Sequence, residues 1–146
     1  MSLKEQLVAD LKQSMKDKDT IAKSAITLVR AAILQVEKDE RRELSEDDIV
    51  GIISKQVKQR KDALIDFQKA NRQDLIDQTE REIEVLTEYL PQQLSEEELK
   101  VIVLDAINEV GATSMKDMGK IMGIVMPKIK GRADGGMVNK IVKENL

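Results

Sequence analysis

The sequence predicts an all-α protein, an N-terminal helical bundle followed by a small three-helix C-terminal domain. Three observations predict it: apolar residues recur every three or four positions almost throughout, Ser and Asp residues stand where helices need N-caps, and no convincing alternating strand pattern appears.

The elements follow in order. Ser2 and Glu5 read as a capping box, after which Leu3, Leu7, Leu11 and Met15 recur every four residues. Asp19 or Thr20 caps a second helix running to about Glu40, with Ile21, Ala25, Leu28, Val29, Ala32, Ile33 and Val36 as its stripe. Ala22 and Ile26 widen that stripe, so this helix is expected to be buried on more than one side. Ser45 and Asp48 open a third helix carrying Ile49, Ile53, Val57, Leu64 and Phe67 to about Ala70. Asn71 is read as the cap of a fourth, with Leu75, Thr79, Ile83, Leu86 and Leu90, stopped by Pro91.

After Pro91 the glycines crowd in. Only Gly51 precedes it, whereas Gly111, Gly119, Gly123, Gly131, Gly135 and Gly136 follow. Ser95 and Glu98 form another capping box, and the helix from Leu99 to Val110 meets Gly111 where a left-handed C-terminal cap belongs. Ser114 and Asp117 start a sixth helix expected to end near Met126, before Pro127. Asp134 caps a seventh bearing Val138, Ile141, Val142 and Leu146. The predicted domains are 1–91 and 92–146, with Pro91–Gln93 as the joint.

Composition narrows the chemistry. His and Cys are both 0, so Ser-His and Cys-His nucleophiles, disulfides and zinc or haem ligation by those residues are excluded. Phe67 and Tyr89 are the only aromatics, too few for base-stacking RNA platforms. MSLKEQLVADLK is too charged for a signal peptide, and no run approaches a membrane span. A soluble, cytoplasmic protein with no membrane, no metal and no cofactor is the expectation.

Charge is unevenly placed. The whole chain carries −3. Residues 91–114 set Lys100 against Glu96, Glu97, Glu98, Asp105 and Glu109. Residues 115–146 set Lys116, Lys120, Lys128, Lys130, Arg132, Lys140 and Lys143 against Asp117, Asp134 and Glu144. Such basic density is an electrostatic footprint for phosphate-rich partners. Gly131, Gly135 and Gly136 bracket Arg132 in a loop where backbone can approach phosphate, although Asp134 competes for the amides of the helix that begins there. Gly119 and Gly123, four apart, are expected to serve close packing, and the methionines at 115, 118, 122, 126 and 137 to be core. Lys55, Lys58, Arg60 and Lys61 are read as a solvated face. Asp39, Glu40, Glu43, Asp47 and Asp48, interleaved with Lys38, Arg41 and Arg42, are read as a solvated helix end rather than a metal or acid-base cluster.

The tail GKIMGIVMPKIKGRADGGMVNKIV (119–142) resembles the C-terminal tail of the B subunit of glutamine-dependent tRNA amidotransferase. Gly119, Lys120, Gly123, Met126, Lys128, Lys130, Gly131, Arg132, Ala133, Val138 and Asn139 occupy that pattern. With KQRKDALIDFQKANRQDL (58–75) and YLPQQLSEEEL (89–99), the chain as a whole resembles the YqeY family of small bacterial proteins. The resemblance implies an N-terminal helical domain joined to a tRNA-holding tail module, under a family label of carbon–nitrogen ligase with glutamine as amido donor. It implies no catalytic residue here, because the amidase and kinase-like parts of the amidotransferase are absent from this sequence. Within that module Lys116, Lys120, Lys128, Lys130, Arg132 and Lys140 are expected to contact tRNA phosphates, and Asn139 a phosphate or base edge. The resulting expectation is an accessory tRNA-binding protein without independent catalysis. The alternative is a helical interaction module that docks an amidotransferase component or another tRNA enzyme through its N-terminal helices.

Overall fold

The computed structural model describes all residues, Met1–Leu146. It consists of seven α-helices and one 3₁₀ turn, with no strand: α1 (Leu3–Lys16), α2 (Thr20–Glu40), α3 (Glu46–Lys69), α4 (Gln73–Thr87), α5 (Glu96–Val110), a 3₁₀ turn (Met115–Asp117), α6 (Met118–Ile129) and α7 (Gly135–Asn145). The chain divides into two compact units, Met1–Leu90 and Pro91–Leu146, each with its own apolar core.

In the first unit α2 is the central element, packed against α1, α3 and α4. Its wide stripe explains this, because Ala22, Ala25, Ile26, Val29 and Ile33 are all buried. Leu7 of α1, Ile49, Ile53 and Val57 of α3, and Val85 and Leu86 of α4 close around it. Burying such aliphatic side chains contributes roughly 1.5–3 kcal/mol each, before the entropy of ordering them is subtracted. Two stripe positions of α1 and α2 are exposed. Met15 is 48% exposed and Leu28 52%, because α1 ends one residue after Met15 and Leu28 lies at the flank of the α2 stripe. Beyond Val57, the α3 residues Ala63, Leu64 and Phe67 are only half-buried.

Helix ends are stitched by polar side chains. Ser45 Oγ accepts from the Asp48 N–H, and the Asp48 carboxylate accepts from the Ser45 N–H, a complete capping box. At α1 only the Ser2 half forms, and the Leu3 N–H instead donates to the Glu46 carboxylate. Glu37 receives Lys4 and the Leu44 N–H, and Tyr89 donates its hydroxyl to Asp10. Asn71 is not the α4 cap. It adopts a left-handed φ of 54°, a conformation Asn tolerates, and Arg72 takes the N-cap position without a side-chain hydrogen bond.

The acidic stretch before α3 is spent on these ends. Asp39 accepts from Gln35, Glu40 and Asp48 pair with Arg42, and Glu43 lies beside Lys4, while no three carboxylates gather as a metal site. Hydrogen bonds from Arg42 and then from Ser45 hold the Asp48 carboxyl at about 2, below its ordinary 3.8. Asp19, bound by the Ala22 N–H and Arg81, and Glu37, bound by Lys4, are depressed as well. A depressed carboxyl stabilises the fold above its unfolded pKa, and that stabilisation is lost as pH falls through the folded value. Unfolding of the first unit is therefore expected to ease from about pH 4 down to about pH 2. Asp48→Asn should flatten that acid limb in a denaturant titration repeated across pH; an unchanged limb would contradict the assignment.

In the second unit α5 packs against α6 and α7 around Leu99, Val103, Ala106, Ile121, Val125, Ile129, Val138 and Val142. Ser95 and Glu98 form the other complete capping box, and Gly111 ends α5 with φ 69°. Two sequence expectations shift here. Ser114 caps the 3₁₀ turn, and α6 proper begins at Met118. The helix does not stop before Pro127 but continues to Ile129. Pro127 and Gly123 both face solvent, so the Gly123 carbonyl that loses its helical donor is open to water.

Candidate nucleic-acid interface

The amphipathic pattern of α6 and α7 sets which side chains face out. On α7 the apolar residues Val138, Ile141 and Val142 turn inward. Gly136, Asn139, Lys140 and Lys143, spaced i, i+3, i+4, i+7, therefore share the outward face. With Glu144 they line an open groove of about 380 Å³. On α6, Ile121, Val125 and Ile129 turn inward, and Lys120 turns outward with Gly119 and Gly123. Lys116 lies in the preceding 3₁₀ turn, Lys128 in the last turn of α6 and Lys130 at its C-cap. Lys120 and Lys128 are separated by about 12 Å along the helix axis.

These lysines are uncommitted. Lys120, Lys128, Lys130, Lys140 and Lys143 are exposed and form no ion pair, whereas the first unit holds Lys4–Glu37, Arg60–Glu82 and Arg81–Asp19. Lys143 was not among the predicted contacts; its signal was there, three residues after Lys140 and seven after Gly136.

Gly119 and Gly123 do not serve close packing. Both are exposed, and a Cβ at either would meet nothing within 4 Å. Each costs about 1 kcal/mol of helix propensity relative to Ala, and together they leave a strip of bare backbone beside Lys120. The methionines divide: Met118, Met122 and Met137 pack on the core, but Met115 is 44% exposed and Met126 42%.

Arg132 is placed differently from the lysines. It is half-buried, and its Nε donates to the Gln92 carbonyl at 3.1 Å. Gln93 Nε2 donates to the Gly131 carbonyl at 2.7 Å, and the Leu94 N–H to the Arg132 carbonyl at 2.9 Å. The Gln92–Leu94 segment is thus strapped onto the basic turn rather than hanging free. Gly131 is buried in that turn with φ 73°, where an L side chain is strained. Gly131→Ala is expected to destabilise the second unit by about 1–2 kcal/mol and to speed amide exchange at Leu94. Unchanged exchange at Leu94 would count against the strap.

The glycine loop is not an open phosphate cradle. The carbonyls of Gly131 and Arg132 hold the strap, and Asp134 accepts from the Gly136 N–H at 3.0 Å. The free amide end of α7 is therefore already occupied by a carboxylate. What remains for an anion is the lysine side chains and the outward faces of α6 and α7.

An all-helical chain of two compact units, one bearing an unpaired basic face, defines the class. Residues 4–146 match the family described as Yqey-like protein, and the chain belongs to that family. It is 30% identical over 141 residues to a protein of Pyrenophora tritici-repentis named Altered inheritance of mitochondria protein 41, mitochondrial; the overlap covers 94% of this chain and 77% of that one. The same-named protein of Vanderwaltozyma polyspora is 32% identical over 120 residues, covering 77% of this chain and 64% of that relative. A 57-residue stretch is 44% identical to the E subunit of Glutamyl-tRNA(Gln) amidotransferase from Methanobrevibacter smithii, covering 36% of this chain and 9% of that relative. The amidotransferase similarity is thus local, whereas the family match spans nearly the whole chain. No helix is long and apolar enough to cross a membrane. The two fungal relatives are named as mitochondrial, a compartment other than the cytoplasmic one that composition suggested.

Proposed function

We propose that this chain is an accessory tRNA-binding protein whose second unit grips the RNA backbone and which performs no chemistry of its own. The observation that carries the reading is the set of exposed, unpaired lysines on and beside α6 and α7, next to backbone that two glycines leave bare. Lys116, Lys120, Lys128, Lys130, Lys140 and Lys143 supply point charges to phosphates, and Asn139 supplies an amide at the centre of the α7 face. Arg132 holds the strap through Nε, which leaves its terminal guanidinium donors to supply further hydrogen bonds to phosphate.

The local similarity to an amidotransferase component named for Glutamyl-tRNA(Gln) supports tRNA as the RNA class. With two aromatics in the chain, recognition is of backbone shape rather than stacked bases. Any compartment that holds tRNA, cytosolic or mitochondrial, meets this need.

The test is titration of the full chain with labelled tRNA at several salt concentrations. Binding that weakens linearly in log–log coordinates, with a slope of several units, is expected. Absence of salt-sensitive tRNA binding overturns the reading.

A further inference from the structure

The first unit contains a feature that the tRNA reading does not use. Between α1 and α2 lies a half-enclosed groove of about 150 Å³ with Leu7, Val8, Ile33 and Leu34 as its floor and walls. Leu34 is 60% exposed there, although it is a large aliphatic side chain on the most buried helix of the unit. The groove continues along α1 into a depression lined by Lys4, Glu5, Val8, Ala9 and Lys12.

The rim of this groove carries both signs, Lys4, Lys12 and Arg30 against Glu5 and Glu37, with one cation in excess although the whole chain is acidic. Glu37 is already used by Lys4 and by the Leu44 N–H. Arg30 has no such partner. Arg42, Arg60, Arg72 and Arg81 of the same unit each pair with a carboxylate, and Arg41 is exposed at the end of α2. Arg30 is therefore the one half-buried arginine of the unit whose fork of donors is unclaimed. A guanidinium in that state selects a carboxylate, which it holds through two parallel hydrogen bonds.

We infer that the α1–α2 groove docks an amphipathic helix of a partner protein, with its apolar side chains on Val8 and Leu34 and an adjacent carboxylate on Arg30. An extended segment is disfavoured because neighbouring helices offer no free backbone groups to pair with its amides and carbonyls. A helix satisfies its own backbone and lays its apolar stripe into the groove, the packing by which α1 and α2 themselves meet. The inference stands independently of tRNA binding, since it concerns the other unit.

The probe is a synthetic 18-residue helical peptide with leucines at helical spacing and glutamates flanking the stripe. Its twin carries lysine at every glutamate. Each is titrated into the ¹⁵N-labelled full chain. The acidic peptide is expected to shift amides around Val8, Arg30 and Leu34, and the lysine twin to bind at least tenfold more weakly. Arg30→Gln and Leu34→Asp should each weaken the acidic peptide at least tenfold with unchanged circular dichroism. Leu28→Asp, an equally exposed site on the far flank of α2, should leave it unaffected. Four results overturn the inference: shifts confined to other surfaces, equal binding of the two peptides, movement of these amides by tRNA instead, or concentration-dependent shifts with sedimentation as a dimer, which would make a second copy the occupant.

Discussion

A chain with Lys120, Lys128, Lys130 and Lys140 all changed to Gln is expected to bind tRNA at least about a hundredfold more weakly near 100 mM salt. The size follows from counterion release. Each lost phosphate contact removes about 0.7–0.9 from the log–log salt slope, so four remove about 3. The four side chains are exposed and unpaired, so no buried partner is orphaned by the change. Gln is close to Lys in helix propensity, so the helices should persist in circular dichroism. The necessary control changes Lys23, Lys38, Lys55 and Lys61, exposed lysines of the first unit, to Gln. It alters net charge identically and leaves the α6–α7 surface intact. If both variants lose affinity equally, overall charge and not this face governs binding. If neither does, the face is not the interface.

What could be read in advance was local. Ser45–Asp48 and Ser95–Glu98 cap their helices as their spacing foretold, since a capping box is decided by four consecutive residues. The breadth of the α2 stripe announced an element buried on several sides. Gly111 ends α5 in the left-handed conformation that its position required. Where the reading went astray, a distant partner or the orientation of a face decided the outcome. Pro127 was read as a stop, yet a proline in the last turn loses only one helical bond, and here that carbonyl faces water. Gly119 and Gly123 were given to packing because spacing says that two residues share a face but not which way it points. Met126 and Met115 fell to solvent for the same reason.

The basic site shows the same division. That residues 115–146 are cationic was legible by counting. That Arg132 is recruited by Gln92, 40 residues earlier, was not, because hydrogen bonds between a linker and a turn have no periodic signature. The strap also changes what the joint residues do. Pro91, Gln92 and Gln93 were placed between domains, and Gln92 and Gln93, with the Leu94 N–H, spend their polar groups on shaping the turn that carries Lys130. A change at Gln93 should therefore act on RNA binding only indirectly, through the geometry of that turn.

The segment 58–75 that carries part of the family resemblance yields the other large expected effect. Arg60 was grouped with Lys55, Lys58 and Lys61 as solvated, but it turns inward. Its side chain is 13% exposed, and its Nε donates to Glu82 of α4 at 3.1 Å, with the Glu82 side chain 16% exposed. Arg60 Nη1 donates to the Gln56 carbonyl, Gln56 Nε2 reaches the Leu28 carbonyl of α2, and Gln78 supports Glu82. The network ties α2, α3 and α4 just where the α3 core gives out after Val57. Glu82→Ala should cost about 2–3 kcal/mol, somewhat less than loss of a partner from a fully buried pair, because some water still reaches these groups. Arg60→Ala should cost a similar amount by stranding Glu82. Replacing both, with Arg60→Met and Glu82→Leu, should recover most of the loss, since the penalty lies in the unpaired charge rather than in the absent pair. Urea unfolding of the parent, of Arg60→Met alone, of Glu82→Leu alone and of the double closes the cycle, and a coupling of at least about 1 kcal/mol is expected for residues in direct contact. Single changes within 0.5 kcal/mol of the parent, about what an ordinary surface substitution costs, would return Arg60 to the solvated face first assigned to it.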